Sequence, residues 1–341
     1  MRHLFYVHSS ITRLVAGAII AHEQLPPADC YYVTDRGVAV DAPTDRKLDV
    51  SDWHWQSISG IRQNYAQLGR LDRFLEDQIG GLFQFYPPHH ITDTVRAVLS
   101  HPLAQAFAYA EEGIGSYSSS TQLAQAFPPV RLSAVNRLTQ WLKFRGRIPA
   151  RSAFFQPADP RFQTAYALHP AAFPDLPRRE VLPLPFPPAP ELAHVRHVWT
   201  PSPLAEFRVC SAETQLALTE GLVRCLVAED VAKLHVKYHP RQLRPDGMAP
   251  RFRVLFARYV DQLAVVELAH TVSLESLAVS SEATFYTAAS SAGFYALLCG
   301  CRVASYASDL TTLVPAFQAT MDRMPPYFTD HIDHLHLAPY L

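Results

Sequence analysis

Three short polar segments, each joined to an apolar run, carry the side chains that suit chemistry in this sequence. They are Glu111-Glu112-Gly113, His239-Pro240 and Ser290-Ser291. Adjacent carboxylates repel each other, so one of them can hold a raised pKa and accept a proton near neutral pH. A histidine beside Lys237 and Arg241 suits a phosphate, and paired serines at a helix start add hydroxyl donors to unpaired amides. Together the segments indicate chemistry at a phosphate-bearing substrate.

Each segment also has an ordinary structural interpretation, which the sequence leaves open. The two glutamates can be solvated residues before a turn, and His239-Pro240 can be a surface turn with basic neighbours. Ser290 can simply cap a helix, a role that remains compatible with phosphate binding at the same helix start.

The elements before these segments predict parallel α/β sheets. In the first half, residues 4–7 form a predicted strand, residues 11–23 a helix and residues 30–33 the next strand, which is the order of a βαβ unit. Residues 53–79 carry a helical period, and residues 106–110 form a strand that ends directly at Glu111. Open α/β sheets bind ligands at the carboxyl ends of their strands, so this position favours function.

The second half repeats the pattern. A predicted strand at 233–238 ends at His239, and a strand at 284–287 leads through Ser290 into a helix at 292–299. Residues 252–259 are read as a strand or a short helix.

Proline marks the predicted domain boundary. Ten of the 28 prolines lie between residues 157 and 190, and proline interrupts both helices and sheet ladders. We therefore expect an N-terminal acceptor-side domain over 1–155, a linker over 156–192 and a C-terminal donor-binding domain over 193–341. Whether the last helix packs back on the first domain is left open by the sequence.

Composition limits the classes of function. The 341 residues are 48% hydrophobic and 18% charged, with a net charge of −1, which fits a globular protein and argues against nucleic acid as a partner. The five cysteines are odd in number and form no CxxC pair, so reduced thiols are expected. No signal peptide or membrane span is evident. We expect a cytoplasmic protein, with peripheral association on the inner face of a bacterial inner membrane left open.

In this order, the three segments resemble motifs of the bacterial sialyltransferases and polysialyltransferases, which use CMP-activated sialic acid. The resemblance implies the GT-B fold, an α/β architecture of two Rossmann-like domains whose parallel sheets face a central cleft. It implies an inverting, metal-independent glycosyltransferase with no cofactor. Its substrates would be a CMP-sugar donor and a glycan acceptor of a surface polysaccharide or lipooligosaccharide.

The resemblance also implies roles for individual residues. Glu111 would be the general base and His239 would stabilise the departing CMP phosphate, which Pro240, Ser290 and Ser291 would help to hold. Glu275 would contact the ribose. Because both residues of the acidic pair are glutamates here, which carboxylate acts as the base stays open. The candidate contacts to the acceptor or the cleft are Ser9, Ser10, Glu112, Gly113 and Tyr117.

Other functions remain open from the sequence. A Kdo transferase would use the related donor CMP-Kdo, and a glycerol- or ribitol-phosphate transferase would use a CDP donor. In a different class, the chain would be a non-catalytic glycan-binding or assembly partner in capsule biosynthesis. The acceptor, the linkage, single transfer or polymerisation, and the oligomeric state are not determined.

Overall fold

A computed structural model of the protein describes residues 1–56, 58–127, 133–147 and 153–341, which fold into two compact units. Unit 1 is Met1–Pro185 and unit 2 is Phe186–Leu341. Each unit is built on one parallel β-sheet, as the sequence predicts.

Unit 1 contains a seven-stranded sheet in the order β3-β2-β1-β4-β5-β6-β7. Its strands are β1 (Arg2–Val7), β2 (Cys30–Thr34), β3 (Lys47–Asp49), β4 (Phe83–Tyr86), β5 (Ala104–Ala110), β6 (Phe162–Ala167) and β7 (Glu180–Val181). Its helices are α1 (Ser10–His22), α2 (Ile61–Arg73), α3 (Asp93–Leu99), α4 (Ser120–Ala126) and α5 (Ala134–Lys143).

Unit 2 contains a six-stranded sheet in the order β10-β9-β8-β11-β12-β13. Its strands are β8 (His197–Trp199), β9 (Lys233–Val236), β10 (Ala264–Glu267), β11 (Thr284–Thr287), β12 (Arg302–Ser305) and β13 (Asp333–His334). Its helices are α6 (Ala212–Ala228), α7 (Ala249–Ala257), α8 (Leu274–Ser280), α9 (Ser291–Leu298), α10 (Ala307–Leu313), α11 (Gln318–Met321) and α12 (Pro326–His331).

Both sheets reverse their strand order beside the first strand of the unit. In unit 1 the chain builds outward from β1 through β2 and β3, then returns to pair β4 with the other edge of β1. In unit 2, β8 lies between β9 and β11 in the same way. This is the order of a Rossmann-like sheet, in which a crevice opens at the carboxyl ends of the two strands on either side of the reversal.

Large aromatic side chains fill both cores. In unit 1, Phe5 of β1 stacks on Tyr86 of β4 with ring centroids 4.3 Å apart. In unit 2, Trp199 of β8 is 1% exposed and packs edge-on against Phe252 and Phe256 of α7. Because the strands are buried on both faces, apolar runs rather than strict alternation encode them. The runs of β1, β5, β9 and β11 are predicted from the sequence, whereas the short central strand β8 is not.

Two predicted segments differ in the structure. In the helix predicted over 53–79, α2 begins only at Ile61, after a 3₁₀ turn at Ile58–Gly60, and a π-helical segment, Phe74–Ile79, follows it. The expected linker over 156–192 instead contains β6 and β7, which pair with β5 and with each other at the edge of the unit 1 sheet. Its prolines flank these strands rather than interrupt them, so a high proline content does not exclude sheet pairing here.

Helix α7 and the end of the chain, both in unit 2, are two further places where the sequence left the structure open. The segment 252–259, for which the sequence leaves strand and helix open, is helical as far as Ala257, where α7 ends. The end of the chain packs on α6 of its own unit, where the Arg224 guanidinium donates a hydrogen bond to the Tyr340 carbonyl at 3.2 Å. Among the helices that the structure describes, none combines the length and apolar character needed to cross a lipid bilayer.

A buried imidazole in unit 1 predicts acid sensitivity. His90 is 4% exposed and shares a 2.6 Å hydrogen bond with the Tyr109 hydroxyl, and burial lowers its pKa from 6.5 to about 3. Between those values the unfolded chain binds a proton that the folded chain does not, so stability falls as the pH decreases. We expect this residue to contribute a slope of up to about 1.4 kcal/mol per pH unit in that window.

Chemical unfolding at a series of pH values from 7 downwards tests this. In His90→Asn the slope should be shallower than in the wild type, whereas His336→Asn, which removes an exposed imidazole, is the control and should follow the wild type. Equal slopes of the free energy of unfolding against pH for His90→Asn and the wild type would contradict the assignment of this acid sensitivity to His90.

Candidate functional site

Unit 1 has a cavity of about 270 Å³ at the carboxyl edge of its sheet. His8 follows β1, His89 follows β4 and Glu112 follows β5, and all three side chains line the cavity. The two histidines therefore lie on either side of the strand-order reversal, where the fold opens a crevice. Tyr6, Arg36, Ile91, Thr92, Gly115, Phe127 and Phe154 complete the lining.

Glu112 is the carboxylate at the centre of this cavity. Its Oε2 lies 3.2 Å from His8 Nε2 and 3.7 Å from His89 Nε2. Burial by itself raises the pKa of the Glu112 carboxyl, but the hydrogen bond with His8 and the charges of His89, His8 and Arg36 outweigh burial and lower it. Burial lowers the pKa of His89 against the opposing pull of Glu112. The raised pKa expected for one carboxylate of the pair is therefore not found at Glu112, which is ionised at neutral pH and can accept a proton, but as a weaker base than a carboxylate with an ordinary pKa.

Glu111, the predicted general base, lies elsewhere. Its side chain is 0% exposed, with Oε1 accepting from the Tyr117 hydroxyl at 2.9 Å and Oε2 accepting from the Leu168 amide at 2.6 Å. Because consecutive residues of an extended chain point to opposite sides, Glu112 enters the cavity while Glu111 enters the protein interior. Glu112 is thus the residue of the acidic pair that lines the cavity, and Glu111 lies in the interior.

The other possible acceptor contacts have structural roles and do not line the cavity. The Ser9 hydroxyl caps α1 by accepting from the Thr12 amide at 3.2 Å, and Ser10 is the exposed first residue of that helix. Gly113 has φ +134°, a backbone conformation that residues with a side chain rarely adopt, and it turns the chain after Glu112. Tyr117 is buried and is the donor to Glu111.

His8 and His89 were missed by the sequence reasoning, although a signal was present. Each histidine comes shortly after an apolar run that forms a central parallel strand. The same rule that singled out Glu111 and His239, namely a polar residue just past a strand end, applies equally to these two histidines.

Unit 2 has a larger cavity of about 510 Å³ at the equivalent edge of its sheet. Four residues singled out in the sequence line it together: His239, Pro240, Ser290 and Ser291. Thr200 and Ser202, which follow β8, add hydroxyl groups beside the strand-order reversal, and Phe207, Tyr238 and Phe317 add aromatic surface. This volume is in the range of pockets that hold small molecules and cofactors.

His239 presents a hydrogen-bond donor through its distal nitrogen. The Arg241 amide donates to His239 Nδ1 at 3.1 Å, so in the neutral imidazole the proton is on Nε2. Burial lowers the pKa of His239 from 6.5, as does the charge of Arg241, against the pull of Glu206. At neutral pH the side chain is therefore an uncharged N–H donor.

Gln242 fixes the backbone on which His239 is carried. It is 0% exposed; its Oε1 accepts from the His239 amide at 3.0 Å and its Nε2 donates to the Ser202 carbonyl at 3.3 Å. The amide side chain thus joins the loop after β9 to the loop after β8, on both sides of the cavity.

Ser290 and Ser291 form the start of α9, as the sequence predicts. The Ser290 hydroxyl accepts from the Gly293 amide at 3.1 Å and from the Thr287 hydroxyl at 3.2 Å, so it is the N-cap. Ser291 is exposed at the first helical position and lines the cavity with Ala292. The first amides of a helix have no acceptor within it and lie at the positive end of its dipole, which favours an anion.

Glu275 lies in the first turn of α8, next to the cavity rather than in its lining. Its Oε2 accepts from the Ser273 hydroxyl at 2.8 Å. Lys237 anchors the loop that precedes this helix: its Nζ donates to the carbonyls of Ala269, His270 and Val272 at 2.8, 2.7 and 2.9 Å. An ammonium group has three donors, so Lys237 positions the loop with all of them, and its charge stays at the wall of the cavity that it lines.

Potential metal-ligand atoms also lie close together outside the two cavities. Among the described residues, His22, Glu23 and Glu180 bring such atoms within 4.8 Å of one another at an exposed position. Glu23 also accepts from the Tyr166 hydroxyl at 2.7 Å, and His22 lies 3.4 Å from Glu180. These contacts account for the cluster as a surface ion pair, and no role in the site follows from it.

The different environments of the two glutamates predict different effects on stability. Glu111→Gln places an amide N–H₂ group opposite a hydroxyl or an amide donor in the interior, so the free energy of unfolding should fall by about 1–3 kcal/mol. Glu112→Gln keeps a polar partner for the histidines and should cost less. Denaturant unfolding of both variants measures this; a larger loss for Glu112→Gln would contradict the assignment of Glu111 as the structural residue.

Comparison with solved structures shows similarity over most of the chain. It is similar to the UDP-GlcNAc 2-epimerase from Methanocaldococcus jannaschii with a TM-score of 0.53 and 14% identity, covering 90% of this chain and 84% of that chain. It is also similar to a proposed UDP-N-acetylglucosamine 2-epimerase from Listeria monocytogenes, with a TM-score of 0.50, 11% identity and coverage of 89% and 78%.

A weaker similarity, on which nothing further rests, is to the wall teichoic acid polymerase TagF, with a TM-score of 0.46, 9% identity and coverage of 97% and 81%. No protein-family model and no curated protein sequence matches the chain. The two parallel sheets of Rossmann-like order and the first two structural similarities together show the GT-B fold, with two Rossmann-like domains.

Proposed function

We propose that this protein is an inverting glycosyltransferase that moves sialic acid, or a related nonulosonic acid, from a CMP-sugar to a glycan acceptor. The acceptor would belong to a bacterial surface polysaccharide or lipooligosaccharide. The observation that carries the proposal is the convergence of His239, Pro240, Ser290 and Ser291 on one cavity of unit 2. These are the residues through which the sequence resembles enzymes that use CMP-sialic acid.

The proposal assigns the donor to unit 2. The His239 Nε2–H group and the first amides of α9 would donate to the phosphate, and the Ser291 hydroxyl would add a further donor. Glu275, in the first turn of α8, would accept from the ribose hydroxyls. When the bond between the anomeric carbon and the phosphate oxygen breaks, the electron pair goes to that oxygen, and the same donors stabilise its negative charge.

Proton removal is assigned to unit 1. Glu112 would take the proton from the acceptor hydroxyl as its oxygen forms the new bond to the anomeric carbon, with inversion at that carbon. His8 and His89 hold the Glu112 carboxylate in position from two directions. Positioning of this kind contributes to rate because the reacting groups need no further ordering. No metal ion is assigned a role, since protein donors stabilise the leaving phosphate.

Two other functions remain as alternatives. A Kdo transferase would use the same kinds of residue with CMP-Kdo as the donor. A non-catalytic glycan-binding or assembly partner in capsule biosynthesis would retain the cavities without turnover.

The deciding experiment is release of CMP from CMP-sialic acid and CMP-Kdo, with and without a panel of glycan acceptors, in EDTA. UDP-GlcNAc, the nucleotide sugar named for the two proteins of similar fold, is the comparison substrate. Acceptor-dependent release of CMP supports the proposal and identifies the sugar. Conversion of UDP-GlcNAc alone would replace it with an epimerase function. The absence of turnover together with no thermal protection by CMP would refute the donor site.

Variants of the two cavities separate binding from chemistry. Glu112→Gln should reduce turnover by about 10²–10⁴-fold while leaving CMP affinity unchanged, because it removes only the proton acceptor. His239→Asn should weaken CMP binding and turnover together, since it removes a donor to the phosphate. Calorimetric titration with CMP and a turnover assay measure both.

Glu111→Gln is the matched control: its folded fraction should turn over at a rate near that of the wild type. If Glu111→Gln lost turnover and Glu112→Gln kept it, Glu112 would not be the base.

A further inference from the structure

Helix α5 of unit 1 presents an apolar face to solvent. Val135, Leu138 and Trp141 are 72%, 57% and 56% exposed, and their spacing of three residues places them along one side of the helix. A contiguous group of large exposed apolar side chains marks an interaction surface, whereas single exposed ones do not.

The opposite side of α5 is anchored, which fixes the rotation of the helix. Lys143 Nζ donates to Asp93 Oδ2 at 3.1 Å, and Phe144, which follows the helix, is 0% exposed and packs against Trp55. The Tyr65 hydroxyl donates to the Leu142 carbonyl at 2.7 Å. Turning the apolar face inward would break all of these contacts, so the face is an outward feature of the folded unit.

The stretch of sequence that contains this helix is basic. Between Glu112 and Asp159 the sequence contains no acidic residue and six basic ones, although the whole chain has a net charge of −1. They are Arg131, Arg137, Lys143, Arg145, Arg147 and Arg151. Lys143 and Arg147 pair with Asp93 and Asp72. Arg137 and Arg145 are exposed, and within the described residues neither has a carboxylate at ion-pair distance.

We propose that α5 is an interfacial helix that binds the surface of a bilayer containing anionic lipids. An amphipathic helix with Trp and Leu on one face and basic residues around it inserts its apolar face at the boundary between headgroups and acyl chains. Tryptophan favours this region, and each arginine near an anionic surface adds electrostatic attraction.

The charge favours a lipid surface over a protein partner. The apolar face lies in a stretch of sequence with six basic residues and no acidic one, which complements the negative surface of a bilayer with anionic lipids. The inference does not depend on the proposed glycosyl transfer, because no residue of either cavity lies on α5.

Vesicle flotation of the full-length protein tests the inference. We expect the protein to bind phosphatidylcholine vesicles that contain phosphatidylglycerol more strongly than pure phosphatidylcholine vesicles. Salt should weaken its binding to the vesicles with phosphatidylglycerol. Trp141 should enter a less polar environment, seen as a blue shift of emission on anionic vesicles that is lost in Trp141→Phe.

Surface variants identify the face that binds. Leu138→Ser with Trp141→Ser should weaken partitioning by about tenfold or more, and Arg137→Gln should weaken it by about fivefold on anionic vesicles only. The matched controls are Val254→Ser with Val260→Ser, at residues 71% and 67% exposed, and Arg323→Gln at an exposed arginine. Both controls should bind like the wild type.

The absence of vesicle binding, or binding that survives the double serine substitution on α5, would overturn the inference. Light scattering gives the competing result: a dimer mass that the same double substitution reduces to a monomer would assign the face to a second copy of the chain instead.

Discussion

The functional architecture depends on one constraint, the burial of parallel strands on both faces. Strands such as β1 and β5 are almost completely enclosed, and an ionised or hydrogen-bonding side chain inside such a sheet would be stripped of water at a cost of several kcal/mol. In the two cavities the charged and imidazole side chains therefore follow the strands rather than lie within them. In a parallel sheet these residues all lie at one edge, and the reversal of strand order opens a crevice there.

The alternation of side chains along an extended chain then decides which residue of a polar pair is used. Glu111 and Glu112 are identical in type and adjacent, yet one is enclosed by Tyr117 and the Leu168 amide while the other lies between His8 and His89. Each carboxylate has hydrogen-bonding partners, which is what makes burial tolerable for both. Only the second has partners that also line an open cavity.

Much of the fold could be predicted from sequence because the central strands are apolar runs followed by helix starts. The same pattern singled out His239 and Ser290, each of which follows a strand of unit 2 and lines its cavity. It could not separate Glu111 from Glu112, because the direction of a side chain one residue past a strand depends on the twist and pairing of that strand. Nor did it reveal β6, since proline-rich flanks masked a strand that is stabilised by pairing with β5.

His8 and His89 show a different kind of limit. Neither lies in a recognisable motif, and the two are separated by the whole of α1, β2, β3 and α2 in the sequence. Only the strand order β2-β1-β4 makes them neighbours. Long-range pairing of this kind is set by the packing of the whole sheet, so a local pattern cannot encode which strand ends will meet.

The unit 2 cavity uses its one lysine to hold a loop. Lys237 lines the cavity, but its three donors are directed to backbone carbonyls. The neutral His239 Nε2–H, the serine hydroxyls and the start of α9 therefore provide the hydrogen bonds for an anion, while the ammonium charge of Lys237 stays at the cavity wall. In the proposed reaction these donors, aimed at the phosphate oxygen, stabilise the charge that develops as the sugar departs.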